Sequence, residues 1–204
     1  MIKKFAAIAA IILITGCAQL TTEERLLRGS ADDVYSLGLM YLHGQGVNVN
    51  KELAMNHLTS AAERGSVGAR YKLGIIYDKS KKMDEAVFWY KKAAKTPYMA
   101  HPMYRLAEIY HHGIGVDKDL DLAISYYLKT AKLGYESSMR ALSSLYLEKK
   151  KYKEAYVWAK VVEISGAKDV RQQVELISFE IKPLEVLKLD DKAESYADLY
   201  LHRF

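Results

Sequence analysis

The chain has 204 residues, of which 50% are hydrophobic and 27% charged: enough apolar material for one elongated domain, with an ordinary charge content for a helical protein. Its formal charge of +5 is only weakly basic and gives no ground for nucleic-acid binding. A single cysteine, Cys17, excludes an intramolecular disulfide and with it the disulfide-stapled scaffolds.

In chain order, Lys3 and Lys4 form a basic start, and Phe5 to Ile14 an apolar stretch too short to span a bilayer. Ile14-Thr15-Gly16-Cys17 then reads as a small-residue cleavage site ending in cysteine. The segment resembles a bacterial lipoprotein signal with its lipobox. That resemblance implies a signal peptide over residues 1–16, cleavage between Gly16 and Cys17, and a mature N-terminus at Cys17 bearing a diacylglyceryl thioether and an N-linked acyl chain. A plain secretory signal with an accidental cysteine is the alternative. At about 0.8 kcal/mol per buried methylene, several acyl chains hold a protein at a membrane while its domain stays in water. Ala18 stands where an aspartate would imply inner-membrane retention, so the same resemblance implies the outer membrane, with a periplasm-facing domain as the default. Loss of Lys3 and Lys4 leaves 28 basic residues against 25 acidic ones, a formal charge of +3. Residues 17–30 read as a tether, with Thr21-Thr22-Glu23-Glu24 as a helix start.

From residue 31 the chain repeats itself. Leu37-Gly38 precedes Tyr41, Leu73-Gly74 precedes Tyr77, Leu106-Ala107 precedes Tyr110, and Leu142-Ser143 precedes Tyr146. The tyrosines stand 36, 33 and 36 residues apart, the period of helical-pair solenoids. A second helix follows each time, opening at Ala54, Ala86, Ala123 and Ala155, with His57, Trp89, Tyr126 and Trp158 three residues further on. The small residue after each leucine is what two closely crossing helices require. The four units are predicted at 31–66, 67–99, 100–134 and 135–166.

Tyr35 to Val47, with Gly44-Gln45-Gly46-Val47 and then Ala54 and Ala61-Ala62, resembles a Sel1-like repeat, a relative of the tetratricopeptide repeat. The third unit matches through Leu106, Tyr110, Gly113-Ile114-Gly115-Val116, Ala123 and Tyr126-Tyr127. The second and fourth lack the Gly-x-Gly-Val loop and look more like plain tetratricopeptide hairpins. The resemblance implies an all-α fold, a right-handed α-solenoid of about four hairpins in which each pair buries its apolar face on its neighbours. It says nearly nothing of activity.

Beyond Gly166 the repeat words stop. Val170, Val174, Ile177 and Ile181 have amphipathic helical spacing, and a last helix is predicted from near Pro183 or Asp190 through Ala193, Tyr196, Ala197 and Tyr200. Residues 167–204 are expected to act as capping helices with a polar outer face.

No constellation points to catalysis or to a cofactor. Gly44-Gln45-Gly46 and Gly113-Ile114-Gly115 follow helices rather than strands and lack a Gly-Lys-Ser/Thr sequel, so they read as turns. His111-His112 has no cysteine or carboxylate at a familiar ligand spacing, and no metal site is expected. The lysines of Lys79 to Lys82 and Lys149 to Lys151 fall in the two shortened turns, either simply solvated or touching anionic lipid or glycan.

What remains is a surface. The resemblance implies that the residue two before each signature leucine faces the concave groove: Tyr35, Tyr71, Tyr104 and Arg140, followed four residues on by Leu39, Ile75, Glu108 and Ser144. An aromatic row ending in arginine has the composition of a binding hot spot, although the same aromatics also serve packing. Two classes follow. One is a non-enzymatic adaptor in the bacterial cell envelope, with a protein or peptide partner, a membrane contact through its anchor, and no nucleic acid or small-molecule cofactor. The other, implied by cysteine-rich Sel1-like proteins linked to penicillin binding and β-lactam hydrolysis, is a peptidoglycan- or penicillin-binding protein, but this chain lacks their paired cysteines and any activated nucleophile.

Overall fold

The computed structural model describes residues 21–201, so Gly16, Cys17 and the signal segment lie outside the described residues. Within them the chain is all-α, with eleven α-helices, one 3-10 turn and no strand. No described helix is long and apolar enough to cross a membrane. The described residues form two compact units, divided between Ala69 and Arg70.

The first unit opens with α1 (Thr22–Arg28), started by the expected capping box: Glu24 N–H donates to Thr21 Oγ1 at 3.2 Å, and Thr21 N–H donates to Glu24 Oε2 at 2.9 Å. Ser30 and Asp33 repeat the device for α2 (Ala31–His43). Arg64 ties the segment down, its guanidinium donating to the carbonyls of Leu27, at 3.2 Å, and Gly29. Helix α2 crosses α3 (Lys51–Glu63) so closely that a Cβ on Gly38 would lie 2.9 Å from Leu58 Cγ. Val34, Leu37, Ala54, Leu58, Ala61 and Ala62 are buried there, and Tyr41 stacks on His57 with ring centroids 5.5 Å apart. The helix ends at Gly44, whose φ of 73° is the left-handed conformation that the turn demands.

Helix α4 (Val67–Lys79) begins in the first unit and continues in the second. There it pairs with α5 (Met83–Ala93), again at a glycine: a Cβ on Gly74 would sit 2.5 Å from the Tyr90 ring. Two further hairpins follow, α6 (Ala100–His112) with α7 (Leu120–Ala131), and α8 (Glu136–Glu148) with α9 (Tyr152–Ile164). All four loops close on the carbonyl of the signature tyrosine. In the long loops it accepts from Asn50 N–H to Tyr41 and from Asp119 N–H to Tyr110, both at 2.9 Å. In the short ones it accepts from Lys82 N–H to Tyr77 at 3.0 Å and from Lys151 N–H to Tyr146 at 2.7 Å.

The tail forms a 3-10 turn (Lys168–Val170), α10 (Arg171–Ser178) and α11 (Pro183–Leu201). Val170, Val174, Ile177 and Ile181 are buried as their spacing requires, and Ala193, Ala197 and Tyr200 of α11 close over α9. The outer side departs from the polar cap expected of it: Leu176, Phe179, Leu184 and Leu187 are 61%, 84%, 73% and 64% exposed.

Candidate functional site

Each predicted row position can now be placed within its own unit. In the first, Tyr35 is half-buried with its ring edge against Gly68, where a Cβ would meet Tyr35 Cε1 at 2.9 Å, and Leu39 is half-buried beside it in sequence. In the second, α4 carries Tyr71 and Ile75, α6 carries Tyr104 and Glu108, and α8 carries Arg140.

Tyr71 and Tyr104 belong to a chain of rings. Tyr71 lies 6.0 Å from Tyr90 and 6.1 Å from His101 between centroids. His101 meets Tyr135 edge-on at 5.6 Å, and Tyr135 lies 5.6 Å from Tyr104, which meets Tyr127 at 5.7 Å. These are the offset and edge-to-face separations that aromatic pairs favour. Tyr90 and Tyr127 form the buried floor, Tyr71, Tyr104 and Tyr135 are half-buried, and His101 is exposed.

Beside the rings runs a charged network centred on Arg105. Its Nε donates to Asp78 Oδ2 at 2.7 Å, its Nη2 to Asp78 Oδ1 at 3.1 Å and its Nη1 to Glu108 Oε2 at 3.2 Å. Asp78 also accepts from the Tyr90 hydroxyl at 3.1 Å. The Arg105 hydrogen bonds hold the Asp78 carboxyl below the usual carboxylate range, and Asp78 in turn pushes the Arg105 guanidinium up. Burial pushes the Tyr90, Tyr104 and Tyr127 hydroxyls up, so all three stay neutral donors at physiological pH. The bidentate pair joins α4 to α6 and sets the spacing of Tyr71 and Tyr104.

Arg140 is not a free end to the row. Its Nε donates to Glu136 at 2.7 Å, and its two terminal nitrogens reach Asp169 at 2.7 and 3.0 Å, clamping the tail to α8. Lys149 of the second basic turn reaches Asp121 at 2.5 Å, so that cluster is partly neutralised. His111 and His112 stack at 4.2 Å, with His111 Nδ1 buried and unpartnered. Among the described residues no group of three or more His, Cys, Asp or Glu side chains could hold a metal ion.

Arg105, Tyr127 and Tyr135 escaped the reading of the row. Arg105 is one residue past the inward position and looks like an ordinary exposed helix charge, while Tyr135 sits in a linker after Gly134. A donor–acceptor match between positions 78 and 105 was visible, but its register depends on how two hairpins stack.

The comparisons with known proteins agree with the repeat fold. The Sel1 repeat profile matches residues 32–66, 67–95 and 103–135, including the second unit despite its short loop. An uncharacterized protein of Neisseria meningitidis serogroup B is 30% identical over 129 residues, 63% of this chain and 27% of that one. A protective antigen of uropathogenic Escherichia coli with an SLR fold superposes at a TM-score of 0.67, with 22% identity, over 94% of this chain and 44% of the antigen. A Sel1 repeat protein from Oxalobacter formigenes reaches a TM-score of 0.55 and 27% identity over 61% of this chain and 37% of its own. The chain thus spans about a quarter of the length of the curated relative and under half of either structure. Three repeat matches, in register with the helical hairpins seen here, make this chain a Sel1-repeat protein.

Proposed function

We propose that this Sel1-repeat protein is a non-enzymatic protein–protein interaction scaffold of the bacterial cell envelope, anchored through lipid on Cys17 to the periplasmic side of the outer membrane. There it holds a protein or peptide partner during assembly of a secretion, pilus or polysaccharide-export complex. The observation that carries the scaffold reading is the row of Tyr71, Tyr104, Tyr135 and His101, half-buried or exposed rings held at fixed spacing by the Asp78–Arg105 pair. Rigid aromatics lose little entropy on contact and dominate protein interfaces. The membrane part rests on the lysines, apolar stretch and Gly16-Cys17 junction of the leader.

Two experiments test the two parts. Pull-downs from envelope membranes compare the native chain with Tyr71→Ala/Tyr104→Ala; loss of a discrete protein partner with helicity retained is expected. Equal capture of that partner by the variant removes the row from the function, and recovery of peptidoglycan or labelled penicillin in its place overturns the scaffold reading. For the anchor, Cys17→Ala is expected to move the protein from the membrane fraction to the soluble one, and an unchanged distribution refutes lipidation.

A further inference from the structure

In the second unit four helices leave a cleft of about 300 Å³ whose lining shares no residue with the tyrosine row. Leu128 and Lys132 come from the end of α7, Tyr146 from α8, Glu154, Val157 and Trp158 from α9, and Lys192, Tyr196 and Tyr200 from α11. Its floor is built of packed rings. Trp158, only 4% exposed, lies 5.4 Å from Tyr196 and nearly parallel to Tyr200 at 6.4 Å, and Tyr196 and Tyr200 are 5.4 Å apart. Each ring is fixed by its neighbours, so the hollow is preformed.

The rim is charged. Lys132, Glu154 and Lys192 are exposed around the cleft, two cations against one carboxylate. Elsewhere in this unit Lys118, Lys149, Lys153 and Lys160 each reach a carboxylate at 3.0 Å or less. Among the described residues Lys132 and Lys192 form no ion pair; Lys192 lies over the Tyr196 ring at 5.6 Å. A volume at the lower end of ligand pockets admits one large side chain with its immediate neighbours rather than a whole domain. The walls ask for an apolar or aromatic group, and the excess of positive rim charge asks for carboxylates beside it.

We propose that the Trp158 cleft is a second binding site, one that takes a partner-protein segment carrying an aromatic or leucine side chain flanked by aspartate or glutamate. The apolar side chain lies on Tyr196 and over Trp158, and the acidic neighbours meet Lys132 and Lys192. This site shares no lining residue with the Tyr71–Tyr104 row, so the protein holds two segments at once.

Trp158 supplies the probe. The chain has two tryptophans, and Trp89→Phe in the full-length protein leaves Trp158 as the reporter. The ligand is the capped hexapeptide Gly-Asp-Phe-Asp-Leu-Gly, compared with its twin in which both aspartates are asparagine. A saturable change in Trp158 emission is expected, with Kd on the order of 100 µM. Affinity falls about tenfold in Lys132→Gln/Lys192→Gln or with the asparagine peptide, a loss that added salt reproduces. It stays unchanged in Tyr71→Ala/Tyr104→Ala, which separates this site from the row. Isothermal titration of the unaltered chain reads the same affinity without any tryptophan change. No saturable response by either method, or equal affinity in the lysine variant or for the asparagine peptide, overturns the proposal.

Discussion

Asp78 accepts three hydrogen bonds, two from Arg105 and one from Tyr90, with 16% of its side chain exposed. Its loss leaves a half-buried guanidinium with only Glu108, so Asp78→Ala is expected to cost about 2 kcal/mol in urea unfolding, between the values for surface and buried pairs. Because the folded carboxyl titrates below its ordinary 3.8, the pair stabilises above that pH and is lost as pH falls through and below it. Asp78→Asn should therefore flatten the acid limb of the stability profile. His111 behaves differently. Burial, followed by the charges of His112 and Lys118, pulls its imidazole below the ordinary 6.5, against Glu148 and Glu108, which favour the cation. The folded state thus prefers neutral His111, and stability should fall as pH drops below 6.5. Melting temperatures at pH 7.5 and 5 should differ less in His111→Gln than in the native chain; an equal difference in both assigns the acid sensitivity elsewhere.

At the scale of helices and turns, one repeat position shows how a local demand is met in several ways. Gly38 and Gly74 admit Leu58 and the Tyr90 ring, Ala107 holds the same place buried, and Ser143 uses it to donate from Oγ to the Ala155 carbonyl at 3.0 Å. The turns vary likewise. The long loops place glycine at positive φ, whereas the short ones place Lys81 and Lys150 there, at 61° and 56°. A side chain in that region is strained by roughly 1 kcal/mol, offset in part by the greater freedom of an unfolded glycine. Lys150→Gly is expected to stabilise by about 0.5 kcal/mol and raise Tm by about 1–2 °C, read by thermal circular dichroism. Loop length, small residues and the tyrosine rhythm were all legible in the sequence, since each is a nearest-neighbour requirement repeated along the chain. The positive φ at two lysines was not, because lysine carries no signal for it; only closure onto the Tyr77 and Tyr146 carbonyls forces it.

Across the molecule, the tail is part of the second unit's core. Ala193, Ala197 and Tyr200 join the cluster that holds Trp158 and Val161, while Val174, Ile177 and Ile181 cover Tyr156 and Ala159. Stopping the chain after Gly166 should uncover those side chains and cost roughly 5 kcal/mol or more, seen as a lower Tm and increased dye binding to exposed apolar surface. A truncated chain that melts like the native one would show that the repeats stand without their cover. By itself the sequence determined the all-α repeat, its four hairpins, the small crossing residues and the amphipathic tail, because spacing along one helix decides which residues share a face. Only the tertiary structure decided that Asp78 meets Arg105, that Asp169 closes Arg140, and that α11 lays Tyr196 and Tyr200 on Trp158. Those partners lie 27 to 42 residues apart in different hairpins or in the tail, and what brings them together is the stacking offset of whole elements, which no local pattern encodes.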